Sequence, residues 1–216
     1  MCATHGAEIL LVDVRDTENF AAEIREAGGR ATSQVADVST REAVEQLAGN
    51  VEDLDGLVLN AAVCHWDDDW DAPNWDSDFD RVMAVNVLGP IHLALAFLPA
   101  MIRRRWGRMV FVGSLAGRTG GLIAGPHYVA SKGRIHAVVK WLARQASAPN
   151  VLVNGVAPAS VDTPMMRDRP VDLARIPLAR MALAEKMAWP IAFLCSAAAS
   201  YICGTVLDVN GGFYMG

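Results

Sequence analysis

Three side chains of complementary chemistry stand near one another in the middle of the chain: Ser114, Tyr128 and Lys132. Tyr128 and Lys132 are four residues apart, the spacing that stacks two side chains on one face of a helix. A phenol ionises with a reference pKa of about 10, and an ammonium one turn away favours the phenolate. The spacing therefore predicts a tyrosine drawn toward neutral pH, able to give or take a proton. Ser114 follows an apolar run, Met109 to Val112, that reads as a strand. Its hydroxyl is expected at the strand tip, in reach of the same substrate oxygen.

Those residues need a frame, and the rest of the sequence supplies one. Short apolar runs alternate with longer amphipathic ones. Ile9 to Val12 is a strand ended by Asp13, and Asp16 or Thr17 caps a helix that Gly28 and Gly29 close. Ala31 to Ala36 is a second strand. Ser39-Thr40-Arg41-Glu42 reads as a capping box opening a helix to Asn50. Gly56 to Asn60 is a strand, followed by an acidic loop from Cys64 to Asp76 that carries Trp66, Trp70 and Trp75. These rings either wall a site or cover the sheet. A long helix is expected from Ser77 to Arg105, bent at Pro90. Strands follow at Arg108 to Gly113, Val151 to Val156 and Thr205 to Val209, with helices at Pro126 to Ala146 and Leu183 to Ser196. Apolar strands separated by helices predict a parallel sheet covered on both faces, one doubly wound α/β domain over residues 1–216. Ligands of such sheets bind outside the carboxyl ends of the strands. Functional residues therefore belong just after Val12, Ala36, Leu59, Val112 and Val156.

Of the 216 residues 52% are hydrophobic and 20% charged, with a formal net charge of −5. That excludes a disordered chain. No basic stripe exists to neutralise phosphates, so nucleic acid is not an expected partner; Arg103, Arg104 and Arg105 read as the charged end of a helix. The longest apolar candidate, Leu93 to Ile102, is about half of the ~20 residues a membrane span needs, and no membrane partner is expected. Met1 to Gly6 lacks the pattern of a secretory signal. Cys2, Cys64, Cys195 and Cys203 show no Cys-x-x-Cys spacing and read as buried free thiols of a cytoplasmic protein. Zinc held through Cys195 and Cys203 is the lesser alternative, and no metal site is expected.

Five segments occur in a telling order: Leu57-Val58-Leu59-Asn60-Ala61-Ala62, Met83-Ala84-Val85-Asn86-Val87, Ser114 with Tyr128-Val129-Ala130-Ser131-Lys132, Asn154 to Thr163, and Gly204 to Gly212. In these the sequence resembles the short-chain dehydrogenase/reductase family, in its small single-domain branch, across the whole chain. The resemblance implies an oxidoreductase that interconverts a secondary alcohol and a ketone by hydride transfer with a nicotinamide cofactor. It implies Tyr128 as acid/base, Ser114 as the group orienting the substrate oxygen, and Lys132 as the residue that tunes Tyr128 and holds the nicotinamide ribose. Asn86 would anchor a water in a proton relay; its alternative is an amide repairing a helix kink near Pro90. Asn60, Ala61 and Ala62 would line the cofactor channel, with Pro158, Val161 and Thr163 on the nicotinamide side. Thr163 is otherwise a cap before Pro164. Asp37 and Val38 resemble the pair that reads adenine.

Asp13 ends the first visible strand. A carboxylate there accepts hydrogen bonds from ribose hydroxyls and repels a 2′-phosphate, which favours NAD over NADP. Arg15 pulls the other way, because a guanidinium meets a phosphate well. A plain helix-capping role for Asp13 is the alternative.

The sequence departs from the family at its start. No Gly-x-x-x-Gly-x-Gly turn is present, and Met1 to Ala7 resembles the tail of the helix that should follow it. A strand, turn and most of a helix amount to about 20–25 residues. In the order 3-2-1-4-5-6 the first strand lies between the second and fourth, so Ile9 to Val12 and Ala31 to Ala36 are expected to lose their hydrogen-bonded tie to the rest. Three explanations stand open: a start farther upstream, a natural truncation, or a gap filled by sheet closure or a neighbouring chain. A catalytically silent interaction or regulatory protein on the same scaffold is the alternative function. The substrate stays open among an acyl-thioester ketone, a steroid-like ketone and a small polyol; Met165 and Met166 suit an adaptable apolar pocket. Surplus apolar residues on two helices predict a homotetramer or homodimer: Leu88, Ile91, Leu95, Leu98 and Ile102 on one, Ile135, Val138, Val139 and Leu142 on the other.

Overall fold

A computed structural model describes residues 1–66, 71–146 and 150–216. The elements run β1 (Glu8–Asp13), α1 (Glu18–Glu26), β2 (Arg30–Val35), α2 (Arg41–Gly49), β3 (Gly56–Leu59) and α3 (Trp75–Met83). A π-helical turn, Ala84–Leu88, leads directly into α4 (Gly89–Arg104). Then come β4 (Gly107–Val112), the short α5 (Ala116–Thr119), α6 (Pro126–Ala146) and β5 (Val151–Pro158). Two-residue strands β6 (Val161–Asp162) and β7 (Ala182–Leu183) precede α7 (Ala184–Cys195) and β8 (Val206–Val209). Trp70 lies outside the described residues.

All pairings are parallel. β3, β4, β5 and β8 form one sheet in that order, β2 and β1 form another, and β6 pairs with β7. Among the described residues no strand pairs with the free side of β1 or of β3, so the sheet is interrupted where the sequence predicts its gap. The layer nevertheless continues through side chains. Leu10 and Val12 of β1 pack on the same core as Leu57 and Leu59 of β3, Met109 and Phe111 of β4, and Val153 of β5, beneath α2, α4 and α6. The opposite face joins Val110 and Val156 to Leu194 of α7. Strands buried on both faces need unbroken apolar runs, which is why β4 and β5 stand out in the sequence. Val58, on the α7 side of β3, is 41% exposed beside the break.

Local signals hold in part. Asp16 accepts the Glu18 N–H through Oδ1 at 2.8 Å and so caps α1. The capping box of Ser39 to Glu42 does not form, because Ser39 turns its hydroxyl back to Asp37 Oδ1 at 2.7 Å. The long helix deforms at Ala84–Leu88, just ahead of Pro90, which has no N–H to give back into the preceding turn of this continuous helix. By length and composition Trp75–Arg104 is long and apolar enough to cross a membrane, with mean hydropathy 1.8 over an 18-residue window. This corrects the expectation based on Leu93 to Ile102 alone. The same helix buries Val82, Val87, Leu93, Phe97 and Met101 in the core. The thiols are also less buried than expected: Cys203 is exposed and the other three are half-buried.

Candidate active site

β4 delivers Gly113 and Ser114 to the carboxyl edge of the sheet, and β5 holds them there. Gly113 donates its N–H to Val156 O and Leu115 donates to Pro158 O, both at 2.8 Å. Ser114 Oγ accepts the Ala116 N–H at 3.1 Å as α5 begins. From the facing helix α6, Lys132 buries its ammonium and donates from Nζ to Val112 O at 2.8 Å. The same Nζ lies 5.5 Å from the centre of the Tyr128 ring. The Ser114 side chain is near enough to the Tyr128 phenol to act on its ionisation. Ser114, Tyr128 and Lys132 thus meet in space as their spacing predicts.

Their electrostatics differ from the prediction. Burial pushes the Tyr128 phenol up to about 12, with the neighbouring Ser114 hydroxyl pulling the other way. Burial also pulls the Lys132 ammonium down to about 8. Desolvation penalises the charged form of each group, so in this state the lysine does not draw the tyrosine toward neutrality.

Asn86 sits in the π-helical turn, buried. Its Oδ1 accepts the Val63 N–H at 2.8 Å, and its Nδ2 donates to Val63 O at 2.9 Å and to Ser131 Oγ at 3.0 Å. It therefore clamps the chain just past β3 to α6 and repairs no helix kink. π turns recur at functional sites.

The residues expected to hold a cofactor follow the carboxyl ends of successive strands. Asp13 ends β1, and its Oδ1 accepts the Arg15 N–H at 3.0 Å with Arg15 Nε at 3.5 Å. Asn60 and Ala61 are exposed after β3, with Ala62 half-buried beside them. Pro158 closes β5 and Val161 opens β6; Thr163 Oγ1 donates to Val161 O at 3.3 Å and does not cap the following turn. Asp37 accepts the Ser39 N–H and hydroxyl, which hold its carboxyl below the usual range. Val38 is a core residue, its side chain buried against Gly89, so only its backbone is left to meet an adenine.

Other features were not legible in the sequence. Arg169 lies over the Trp66 ring at 4.8 Å, joining the loop after β6 to the loop after β3. Trp75 stacks on Phe79 at 5.5 Å and lies 4.9 Å from the His127 ring, so it packs between α3 and the start of α6. His127, next to Tyr128, is fully buried and neither ring nitrogen finds a partner among the described residues. Among those residues no three His, Cys, Asp or Glu side chains gather as a metal site.

A parallel Rossmann-like α/β fold with Ser, Tyr and Lys converging at its carboxyl edge defines the class, a fold of nucleotide-dependent oxidoreductases. A family model described as enoyl-(acyl carrier protein) reductase matches residues 1–214. The chain belongs to the short-chain dehydrogenase/reductase family of oxidoreductases. It is 34% identical to the uncharacterized oxidoreductase YmfI of Bacillus subtilis, over 95% of this chain and 88% of that protein. A 3-oxoacyl-[acyl-carrier protein] reductase from Brucella melitensis, solved with bound NAD, superposes with a TM-score of 0.91 at 28% identity, covering 99% of this chain and 84% of the other. A putative NAD(P)-dependent gluconate 5-dehydrogenase from Beutenbergia cavernae, solved with NADP at low occupancy, gives 0.92 at 32% identity, covering 98% and 88%.

A nicotinamide dinucleotide fits the donor set on its nicotinamide and ribose side: an ammonium at Lys132, exposed backbone at Asn60 and Ala61, a hydroxyl at Thr163 and a carboxylate at Asp13, each following or facing the carboxyl end of a strand.

Proposed function

We propose that the chain interconverts a secondary alcohol and a ketone, with Tyr128 exchanging the proton. The observation that carries this reading is the convergence of Tyr128 and the buried Lys132 of α6 on the end of β4, where Ser114 stands. When bound, a nicotinamide cofactor supplies the hydride donor or acceptor. Ser114 Oγ directs the substrate oxygen toward Tyr128. In reduction the phenol, protonated because burial raises its pKa, donates its proton to that oxygen. Lys132 supplies positive charge beneath the ring and a donor for the ribose. Asn86 fixes the strand-end loop, Asn60 to Val63, that lines the cofactor channel. Val161 and Thr163 face the carboxamide, while Asp37 and the Val38 backbone meet the adenine.

Asp13 favours NAD, because its carboxylate suits ribose hydroxyls and it already ties down Arg15. Four scattered cysteines with no Cys-x-x-Cys spacing suit the cytoplasm. The protein works as a homotetramer, or at least a homodimer, through exposed residues of α4 and α6. Assay of a ketone panel, including a 3-oxoacyl thioester, a steroid ketone and a keto-polyol, with NADH and with NADPH tests the function. Reduction of at least one ketone with NADH preferred is the expected result. A strong NADPH preference overturns the role of Asp13, and no turnover with any ketone overturns the activity.

A second reading stands beside it. In it the chain keeps the fold and binds no cofactor, acting as an interaction or regulatory protein.

A further inference from the structure

α6 carries a third side chain in register with Tyr128 and Lys132. His136 follows Lys132 by four residues, so the three project from one face of the helix. Its ring is buried, 6% exposed. It reaches the end of β4, where Nε2 stands 3.5 Å from the Ser114 backbone nitrogen and accepts its N–H.

Among the described residues that N–H has no other acceptor. In a parallel ladder successive N–H groups point to alternate sides. Gly113 and Leu115 donate to β5 on one side. Ser114 lies between them and donates to the other side, where β3 has already ended at Leu59. A buried backbone N–H without a partner is rare and costly. His136 meets that need from the helix, as Lys132 does for Val112 O two residues earlier. The approach is close enough to constrain the sequence. A Cβ on Gly113 would lie 2.5 Å from His136 Nε2 and 2.8 Å from Cδ2, so only glycine leaves room for the ring.

We propose that His136 is a positioning residue for Ser114: its neutral imidazole accepts the Ser114 N–H through Nε2, carries its own proton on Nδ1, and fixes the peptide from which the Ser114 hydroxyl points at the substrate oxygen. The surroundings keep the ring neutral. Burial pulls its pKa down to about 4, and the nearby cations Arg118 of α5 and Lys132 and Lys140 of α6 act in the same direction. Asp208 of β8 opposes them, but it is engaged by Arg118 at 3.2 Å. A neutral ring keeps the lone pair that the bond requires.

The proposal rests on Ser114 orienting the substrate, and the test separates the two. The full chain is compared with His136→Leu, His136→Gln and Ser114→Ala for kcat, KM and thermal midpoint, with ¹⁵N spectra of the parent imidazole and the Ser114 amide. The parent is expected to show Nδ1 protonated and Nε2 bare at neutral pH. His136→Leu is expected to lower kcat by roughly tenfold, the loss of one modest orienting bond, with KM for the cofactor unchanged. His136→Gln, which keeps an acceptor, is expected to recover most of that loss. Parent kcat in His136→Leu with an impaired Ser114→Ala overturns the role of His136 and leaves Ser114 standing. Parent kcat in Ser114→Ala overturns the reading of Ser114 and this proposal with it. Should His136→Leu fail to fold, a protonated Nε2 in the parent spectra, or a Gln variant that folds and loses the full tenfold, overturns the proposal.

Discussion

Tyr128→Phe is expected to lower turnover by roughly 10²–10⁴-fold, the range for removing a positioned general acid, while the thermal midpoint stays close to the parent's. The phenol contributes one hydroxyl to an otherwise packed ring, and its loss leaves Lys132 bonded to Val112 O. Turnover within a few-fold of the parent would sink the acid/base role. The parent's pH dependence carries a second signature. Burial sets Lys132 at about 8 and Tyr128 at about 12, so lysine loses its proton first as pH rises. Alcohol oxidation needs a phenolate beside an ammonium, which holds the same number of protons as a phenol beside a neutral amine. The oxidation rate should therefore climb tenfold per pH unit up to about 8 and level off above it. A rate that kept climbing through pH 10 would mean that Lys132 takes no part in the coupling.

Leu95→Glu combined with Trp141→Glu is expected to convert an oligomer into a monomer of 23.2 kDa by light scattering at micromolar concentration. Leu95 is 56% and Trp141 60% exposed, and they border a shallow apolar groove that Ile91, Ala94, Ala137 and Val138 complete. Covering a large apolar side chain contributes roughly 1.5–3 kcal/mol, and a carboxylate placed there must be desolvated without a partner. Because both positions are exposed, the subunit itself should keep its secondary structure. A parent already at 23.2 kDa would remove the proposed assembly. This surface corrects the sequence reading in part: Ile135 and Val139 pack inside the subunit, Leu142 is buried in the core while also lining the groove, and Trp141, absent from the expected set, faces out.

The correction shows what periodicity carries. On α6 the apolar residues continue round the helix, so a helical repeat alone cannot say which stripe meets the sheet. Its bounds, Pro126–Ala146, were legible because Pro opens it and a Tyr-x-x-x-Lys pair sits in its first turns. β4 and β5 were legible as apolar runs, and the interrupted sheet as a missing glycine turn. The π turn at Ala84–Leu88 was legible only as a bend near Pro90; the bonds that Asn86 makes from it to Val63, 23 residues away, were not. β6 and β7, two residues each, are too short for any alternation to register. The pKa values of Tyr128 and Lys132 depend on desolvation, a property of packing that spacing does not encode. His136 was missed for the same reason: one histidine in an apolar stripe gives no sign that a backbone N–H awaits it.

Calorimetric titration of NAD into the protein tests the central claim most directly, because acid/base chemistry at Tyr128 has no use without a hydride partner beside it. Micromolar binding at one site per chain is the predicted result. No binding up to millimolar NAD would contradict it and leave the silent interaction protein as the surviving account.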